Sequence, residues 1–472
     1  MWRRGGVLLC LTAICVAVPA AQPQFDAAAA RQLAGSILDN GQSLRYVTGL
    51  TQTAGARLTG SQTYEDAVQW AALQFRAAGI EDVALEPFTI GRGWERISAR
   101  GRIVAPVEQT LHVESLGWMP STPDGGIEGD VAIVRDLAPE KIAAQAALKG
   151  RIALLPDGEP YGSPYDRSRV RQDLDARLRD AGAIAILSPD TDEGNQLSAR
   201  WRGFNADLGA LPAAQIGKDD ARTIRRLADR GTVRIAIDLR NRVSPGAVTV
   251  HNVVATIHGR EKPDEWILVG AHLDSWDFAT GAQDNGTGVA HVLEAARAMA
   301  ASGRVPRRSI RFALFGGEEE GQLGSAAYVH AHLRELDACI AMLNTDAGSG
   351  RTIGWTLPGR ADVALAVQPL AQALLKDLHA ATLDIGLEYA FQSDGVHFLL
   401  AGIPMLDLNA DDSRYEEIHH KTTDTIDRVD ARNVAIGAAT VAVTAWAIAD
   451  GPRRIAPRLD RHAVQRLFHK GD

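Results

Sequence analysis

His272, Asp284, Glu319, Asp346 and His420 are imidazoles and carboxylates, the ligand types that Zn²⁺ accepts. Four of them follow closely on short apolar runs. Trp266-Ile267-Leu268-Val269-Gly270 leads into His272-Leu273-Asp274, and Ser309 to Phe315 leads into Glu318-Glu319-Glu320. Cys339 to Asn344 leads into Asp346, and Ile403 to Leu408 into Asn409 and then His419-His420. Ligands of open α/β sheets gather beyond the carboxyl ends of the strands, so four successive strands would deliver these groups to one rim. Asp284 joins them from Gly281-Ala282-Gln283-Asp284-Asn285-Gly286, where glycine permits the tight turn that aims the carboxylate inward.

Five ligands fall one short of three for each of two ions. A bridging carboxylate removes the shortfall, and Asp284 has the short stem and central place for it. Three carboxylates and a hydroxide would also balance two Zn²⁺, and a near-neutral site is cheaper to bury than a charged one. Glu318 is left over beside Glu319. A carboxylate so placed can take the proton from the attacking water and return it to the leaving amine. Each piece alone has a blander explanation. A His-x-Asp pair is usually structural, a run of glutamates is usually a solvated helix start, and a His-His pair is often a surface accident. Their common placement at strand ends of one domain favours metal-assisted hydrolysis.

The elements that position these groups alternate strand and helix from 246 to 450. Helices are expected over Asn285–Ala301, Ser325–Leu333, Ala361–Ala380 and Ala431–Ala449. The fold class is therefore α/β, a mixed, mostly parallel sheet with helices on both faces. Residues 22–110 read as the N-terminal part of the same domain. They hold helical periodicity over 25–50, a helix from Gly60-Ser61 to Gly79, and strands at 82–90 and 96–104. Residues 111–245 read as an inserted unit of short strands (130–134, 150–155, 183–187, 233–239) and charged helices (166–182, 219–230). It carries no ligand-spaced His or acid. The basic, proline-containing tail, 451–472, is expected to be loosely ordered.

The chain has 472 residues, 46% hydrophobic and 23% charged, enough apolar material for a large core. A net charge of −8 provides no basic face for nucleic acid. Residues 1–21 read as a signal peptide: Met1-Trp2-Arg3-Arg4, an apolar run from Val7 to Val18, then Val18-Pro19-Ala20. The run is well short of the ~20 residues that cross a bilayer. The expectation is export to the periplasm or the outside, with no membrane span after cleavage. Cleavage would remove Cys10 and Cys15 and leave Cys339 alone, a buried inert thiol with no disulfide partner in the chain. Neither a Gly-x-Ser-x-Gly elbow nor a His-Glu-x-x-His helix is present.

Taken in order, the motifs resemble those of peptidase family M28. They are His272-Leu273-Asp274, Gly281 to Gly288, Glu318 to Ser325, Asn344-Thr345-Asp346 and Ile418 to Thr425. The likeness spans roughly 60–110 and 246–450 and implies two zinc ions per chain. It implies one zinc on His272, Asp284 and Asp346, and the other on Asp284, Glu319 and His420. It further implies Glu318 as general base and Asp274 as the group that orients His272. His420 is preferred because the family's ligand lies four residues before an acid, here Asp424; His419 is the alternative. Ser393-Asp394 resembles the family's substrate-pocket segment. His272-Leu273-Asp274-Ser275-Trp276-Asp277 and the paired histidines are similar to the carboxypeptidase Q branch. That branch implies a protease-associated-type domain at 111–245, hydrolysis of dipeptides with free ends, and a homodimer. Three other readings stay open: an aminopeptidase on longer peptides, a glutaminyl cyclase-like acyltransferase with a single zinc, and an inactive binding module on the same scaffold.

Overall fold

The computed structural model describes residues 26–468, apart from 144–145, 158–166, 201, 203–205, 389 and 412–413. The expected signal peptide, 1–21, lies outside the described residues. The chain begins with helices α1 (Ala27–Asn40), α2 (Ser43–Thr53) and α3 (Gln62–Ala77), then strand β1 (Val83–Ile90). Strands β2 (Trp94–Ala105), β3 (Gln109–Leu111), β4 (Val113–Ser115), β5 (Ile127–Ile133), β6 (Ile152–Leu154), β7 (Ala185–Pro189), β8 (Ala213–Ile216) and β9 (Arg234–Val243) follow. Helices α4 (Pro139–Ala143), α5 (Arg167–Asp180) and α6 (Lys218–Ala228) lie among them. Next come β10 (Val248–Ile257), β11 (Lys262–His272), α7 (Gly286–Ala301), β12 (Arg308–Phe315), α8 (Leu323–Ala331), β13 (Cys339–Asn344) and β14 (Arg351–Thr356). The chain closes with α9 (Ala361–Leu370), β15 (Thr382–Asp384), α10 (Gly395–Leu400), β16 (Met405–Asp411), α11 (Ala431–Asp450) and α12 (Arg461–Phe468).

One eight-stranded sheet runs β1-β10-β12-β11-β13-β16-β14-β15. Its centre, β12-β11-β13-β16, is parallel throughout, while β1, β10 and β14 pair antiparallel with their neighbours toward that centre. The fold is thus α/β with a mixed sheet whose central strands are parallel. Strand periodicity explains why both faces are covered. Ile267, Val269 and Ala271 of β11 point into the larger core with α1, α2, α7 and α11. Trp266 and Leu268 point the other way, to Tyr328 of α8 and Phe398 of α10. Helix α11 is long and apolar enough to cross a membrane, but 78% of its apolar window is buried inside the fold. It is the core helix of this sheet.

A second eight-stranded sheet runs β3-β2-β9-β5-β6-β7-β8-β4. Ala221 and Ile224 of α6 pack on one set of its side chains, and Ile142, Leu174 and Leu178 of α4 and α5 on another. Here the structure departs from expectation. Strand β2, placed within the N-terminal part of the first domain, pairs along its length with β9. The change of sheet therefore falls between β1 and β2, ahead of residue 111.

Three further expectations are corrected. The helical stretch over 25–50 is two helices, separated where Gly41 turns extended (φ −68°, ψ 157°) and Gln42 N–H donates to Glu294. A side chain at Gly41 would sit 2.2 Å from Ile37 O, so only glycine allows this exit. The helix expected over 361–380 ends as α-helix at Leu370 and continues through a π turn, Ala371–Leu375, and a 3₁₀ turn, Lys376–Leu378. As far as Phe468 the tail is not loose: α12 packs Leu467 and Phe468 beside Leu387, Ala390 and Phe391.

Candidate metal centre

The parallel strands end at a buried basin. β11 finishes on His272, which is 1% exposed. The turn after β12 carries Glu318, Glu319 and Glu320, all buried. Asp346 stands two residues beyond β13. Asp284 comes from the loop between β11 and α7. It is fixed by Asp424, whose carboxylate accepts the amides of Gln283 at 2.7 Å and Asp284 at 3.1 Å. The next residue, Asn285, caps α7 and also donates to Thr345 O at 2.9 Å. The Asp284 loop and the Asp346 segment are therefore tied together.

His272 Nε2 lies 3.2 Å from Asp284 Oδ1 and 3.3 Å from Asp346 Oδ1. His420 Nε2 lies 3.1 Å from Glu319 Oε2 and 3.4 Å from Asp284 Oδ2. All five expected ligands thus share one basin, with the two oxygens of Asp284 facing opposite imidazoles. Two triads have ligand atoms within 4.8 Å of one another: His272, Asp284 and Asp346, and Asp284, His419 and His420. His419 approaches Asp284 at 3.7 Å with 40% of its side chain exposed, against 24% for His420. Only His420 is paired with Glu319 among the described residues.

The donor set fits a cation. Glu319 Oε1 is buried with no hydrogen-bond partner among the described residues, and such an orphan normally has an ion or water as its partner. The electrostatics point the same way. Burial disfavours charge on His272 most, yet Asp346, Asp274 and Asp284 outweigh it and hold its proton well above the usual imidazole range. These acids stabilise positive charge placed among them. Burial likewise opposes ionisation of Asp284, but its hydrogen bond to His272 holds it below the usual carboxylate range. Burial, then the charge of His420, push His419 down to about 4, and burial lowers His420 too. Both rings are then neutral at pH 7, the form that binds metal.

Glu318 sits beside the first triad. Burial, reinforced by Asp346 and Glu319, raises its carboxyl well above the usual range. Gln322 Nε2 donates to its Oε1 at 2.9 Å. Asp274 is 3.7 Å from His272 Nδ1 through Oδ1, farther than its own carbonyl oxygen at 3.2 Å. Its carboxylate mainly accepts the amides of Glu318 at 3.3 Å and Glu319 at 3.2 Å. It therefore orients the glutamate turn as much as the histidine. Ser393 and Asp394 are 6% and 0% exposed, and Ser393 Oγ accepts from Asn344 at 3.0 Å.

Several contacts around the basin join distant segments and do not follow from the motifs themselves. Trp276 brings its ring to 5.9 Å from that of His420. Arg96 of β2 pairs with Asp277 at 3.1 Å, fastening the loop after β11 to the second sheet. Lys421 pairs with Asp192 at 3.2 Å. His420 itself adopts a left-handed backbone (φ 58°), rare for a side-chain-bearing residue.

Imidazoles and carboxylates converging at strand ends, with a spare buried glutamate alongside, define a metal-dependent hydrolase. The model of the family described as "Peptidase family M28" matches residues 252–445. Carboxypeptidase Q of Rattus norvegicus is 30% identical over 85% of this chain and 84% of its own. The crystal structure of a peptidase M28 precursor from Shewanella amazonensis SB2B superimposes with a TM-score of 0.78, at 28% identity, over 92% of this chain and 99% of that one. A zinc aminopeptidase from Bacillus subtilis shares the fold at 21% identity and a TM-score of 0.67, over 85% of this chain and 93% of that one. The chain belongs to peptidase family M28 and is a metallopeptidase.

Proposed function

We propose that this metallopeptidase holds two zinc ions and hydrolyses the terminal bond of dipeptides and other short peptides with free ends. The two oxygens of Asp284 carry this reading: Oδ1 lies 3.2 Å from His272, which Asp346 approaches at 3.3 Å, and Oδ2 lies 3.4 Å from His420, which Glu319 approaches at 3.1 Å. His272, Asp284 and Asp346 would hold one ion, and Asp284, Glu319 and His420 the other. Bound zinc supplies a Lewis acid for the scissile carbonyl and lowers the pKa of the attacking water.

The chain's own groups do the rest. Glu318 takes the proton of the attacking water and hands it to the leaving amine. Gln322 holds one of its oxygens, which orients the other. Asp274 holds the turn by accepting the amides of Glu318 and Glu319, which would leave Glu319 to hold an ion and Glu318 to meet the water. Ser393 accepts a hydrogen bond from Asn344 at the end of β13, two residues before Asp346. A glutaminyl cyclase-like acyltransferase would need one zinc, whereas Asp284 serves two sets of imidazoles. The unit built on the second sheet, from β2 to β9, acts in this reading as the protease-associated-type insert. The basic-then-apolar start of the chain supports export, and the carboxypeptidase Q likeness supports a homodimer.

The test is a panel of free and end-blocked dipeptides and tripeptides, with zinc measured on the same sample. The reading requires two zincs per chain and turnover of free dipeptides that falls when either end is blocked. Faster cleavage of tripeptides, indifferent to a blocked carboxyl end, would make the enzyme an aminopeptidase. A zinc-loaded protein that cleaves nothing would leave the inactive binding module.

A further inference from the structure

Arg57 lies on the loop between α2 and α3 and is 0% exposed. A buried guanidinium is costly unless its donors are satisfied and its charge is balanced. Four of its five donors go to backbone carbonyls. Nε donates to Leu273 O; Nη1 donates to Thr280 O at 2.8 Å and Gly55 O at 3.0 Å; Nη2 donates to Gly281 O at 2.9 Å. Its backbone amide donates to Ser275 Oγ at 3.3 Å. Gly281 (φ 58°) must be glycine for this approach, since a Cβ there would stand 2.9 Å from Nη1.

The addresses of those carbonyls are informative. Leu273 sits between His272 and Asp274. Thr280 and Gly281 sit just ahead of Asp284. One rigid planar cation thus bonds to both backbone segments that deliver the His272–Asp284 pair, 3.2 Å apart. Its charge is balanced by Asp424, Asp274, Asp284 and Glu319, although burial lowers its own pKa to about 10. It therefore remains charged at neutral pH. The carboxylates around it repel one another, and a permanent cation just behind them relieves that repulsion without occupying a ligand position. Lysine could supply the charge but not the planar fork of donors.

We propose that Arg57 is a positioning residue for the metal centre. It presets the spacing of His272 and Asp284 and holds the acidic basin together for two cations. This inference rests on the two-zinc reading above.

Zinc affinity, measured by competition with a chromogenic chelator, tests it in wild type, Arg57→Gln and Arg57→Lys, alongside melting of each protein with and without zinc. The expected loss of zinc affinity in Arg57→Gln is about 10- to 100-fold, the range for groups that support metal ligands, with a smaller loss in Arg57→Lys. The melting temperature gained on adding zinc should shrink in the same order. A purely structural crosslink would lower melting with and without zinc alike and leave affinity unchanged. Affinities within about twofold of wild type in both variants would overturn the inference. If Arg57→Gln does not fold, an unaltered affinity in Arg57→Lys overturns it alone. A wild type that binds fewer than two zincs would instead remove the reading on which it stands.

Discussion

The amide of Ala199 donates to the carbonyl of His420 at 2.7 Å. Ala199 belongs to the unit built on the second sheet, and His420 to the metal basin of the first. The bond fixes the carbonyl of a residue whose left-handed backbone is itself unfavourable. Together with Asp192–Lys421 and Arg96–Asp277, it makes the second unit a brace for both loops that bear Asp284 and His420.

Ala199→Pro deletes that donor and leaves a carbonyl without its partner, a loss of about 1–3 kcal/mol. Zinc affinity should fall about 10- to 100-fold, as for other groups that orient a ligand. Ala199→Gly keeps the donor and should bind zinc as wild type does. Chelator competition on the two variants would show the contrast, and equal affinities would remove the brace from the account.

Glu318→Gln keeps the size of the side chain and removes its basicity. Zinc content should stay at the wild-type level while kcat falls about 10²- to 10⁴-fold, the usual share of a general base. Elemental analysis and steady-state rates on one preparation check this. A variant with wild-type kcat would exclude Glu318 from proton transfer.

Removing zinc should destabilise the fold, because the clustered acids would lose their counter-ions. With free zinc at about a thousand times the Kd of each site, each ion should add about 4 kcal/mol, making the two-zinc protein about 8 kcal/mol more stable than the chelated one. Calorimetry before and after chelation measures the difference. Restored melting on adding zinc back would separate metal loss from damage, and identical melting curves would contradict the placement of zinc here.

His291 makes stability depend on pH. It is buried in α7, with Nδ1 2.7 Å from Thr345 Oγ1, and Gly437 of α11 lets that helix pass close over its ring. Burial pushes its pKa from 6.5 down to about 4. The folded ring stays neutral while the unfolded ring takes up a proton below about pH 6.5. Its contribution is therefore whole above pH 6.5 and is lost progressively toward pH 4, by about 3 kcal/mol. Urea midpoints of zinc-free wild type and His291→Gln, followed from pH 7 to 4, should fall less steeply in the variant. Parallel curves would contradict this.

Much of the sheet, and the convergence of the five side chains, was legible because both rest on local rules. The short apolar run Cys339–Asn344 is strand β13 with the same ends, and α7 and α11 start and stop within a residue of their periodic patterns. Ligand types following strands converge because parallel strands share one carboxyl rim. What stayed hidden depends on contacts between distant segments. Alternation marks β2 as a strand but cannot say which sheet it joins. Arg57 acts through backbone carbonyls, which carry no residue identity. The burial of Ser393 and Asp394 follows from the packing of α10 and β16, and the order of α12 from a few apolar contacts near the end of the chain.

Anomalous diffraction at the zinc edge, on crystals grown with zinc, tests the central claim most directly. Two peaks should flank Asp284, one among His272 and Asp346 and the other among Glu319 and His420. A single peak, or zinc bound away from these side chains, would contradict it.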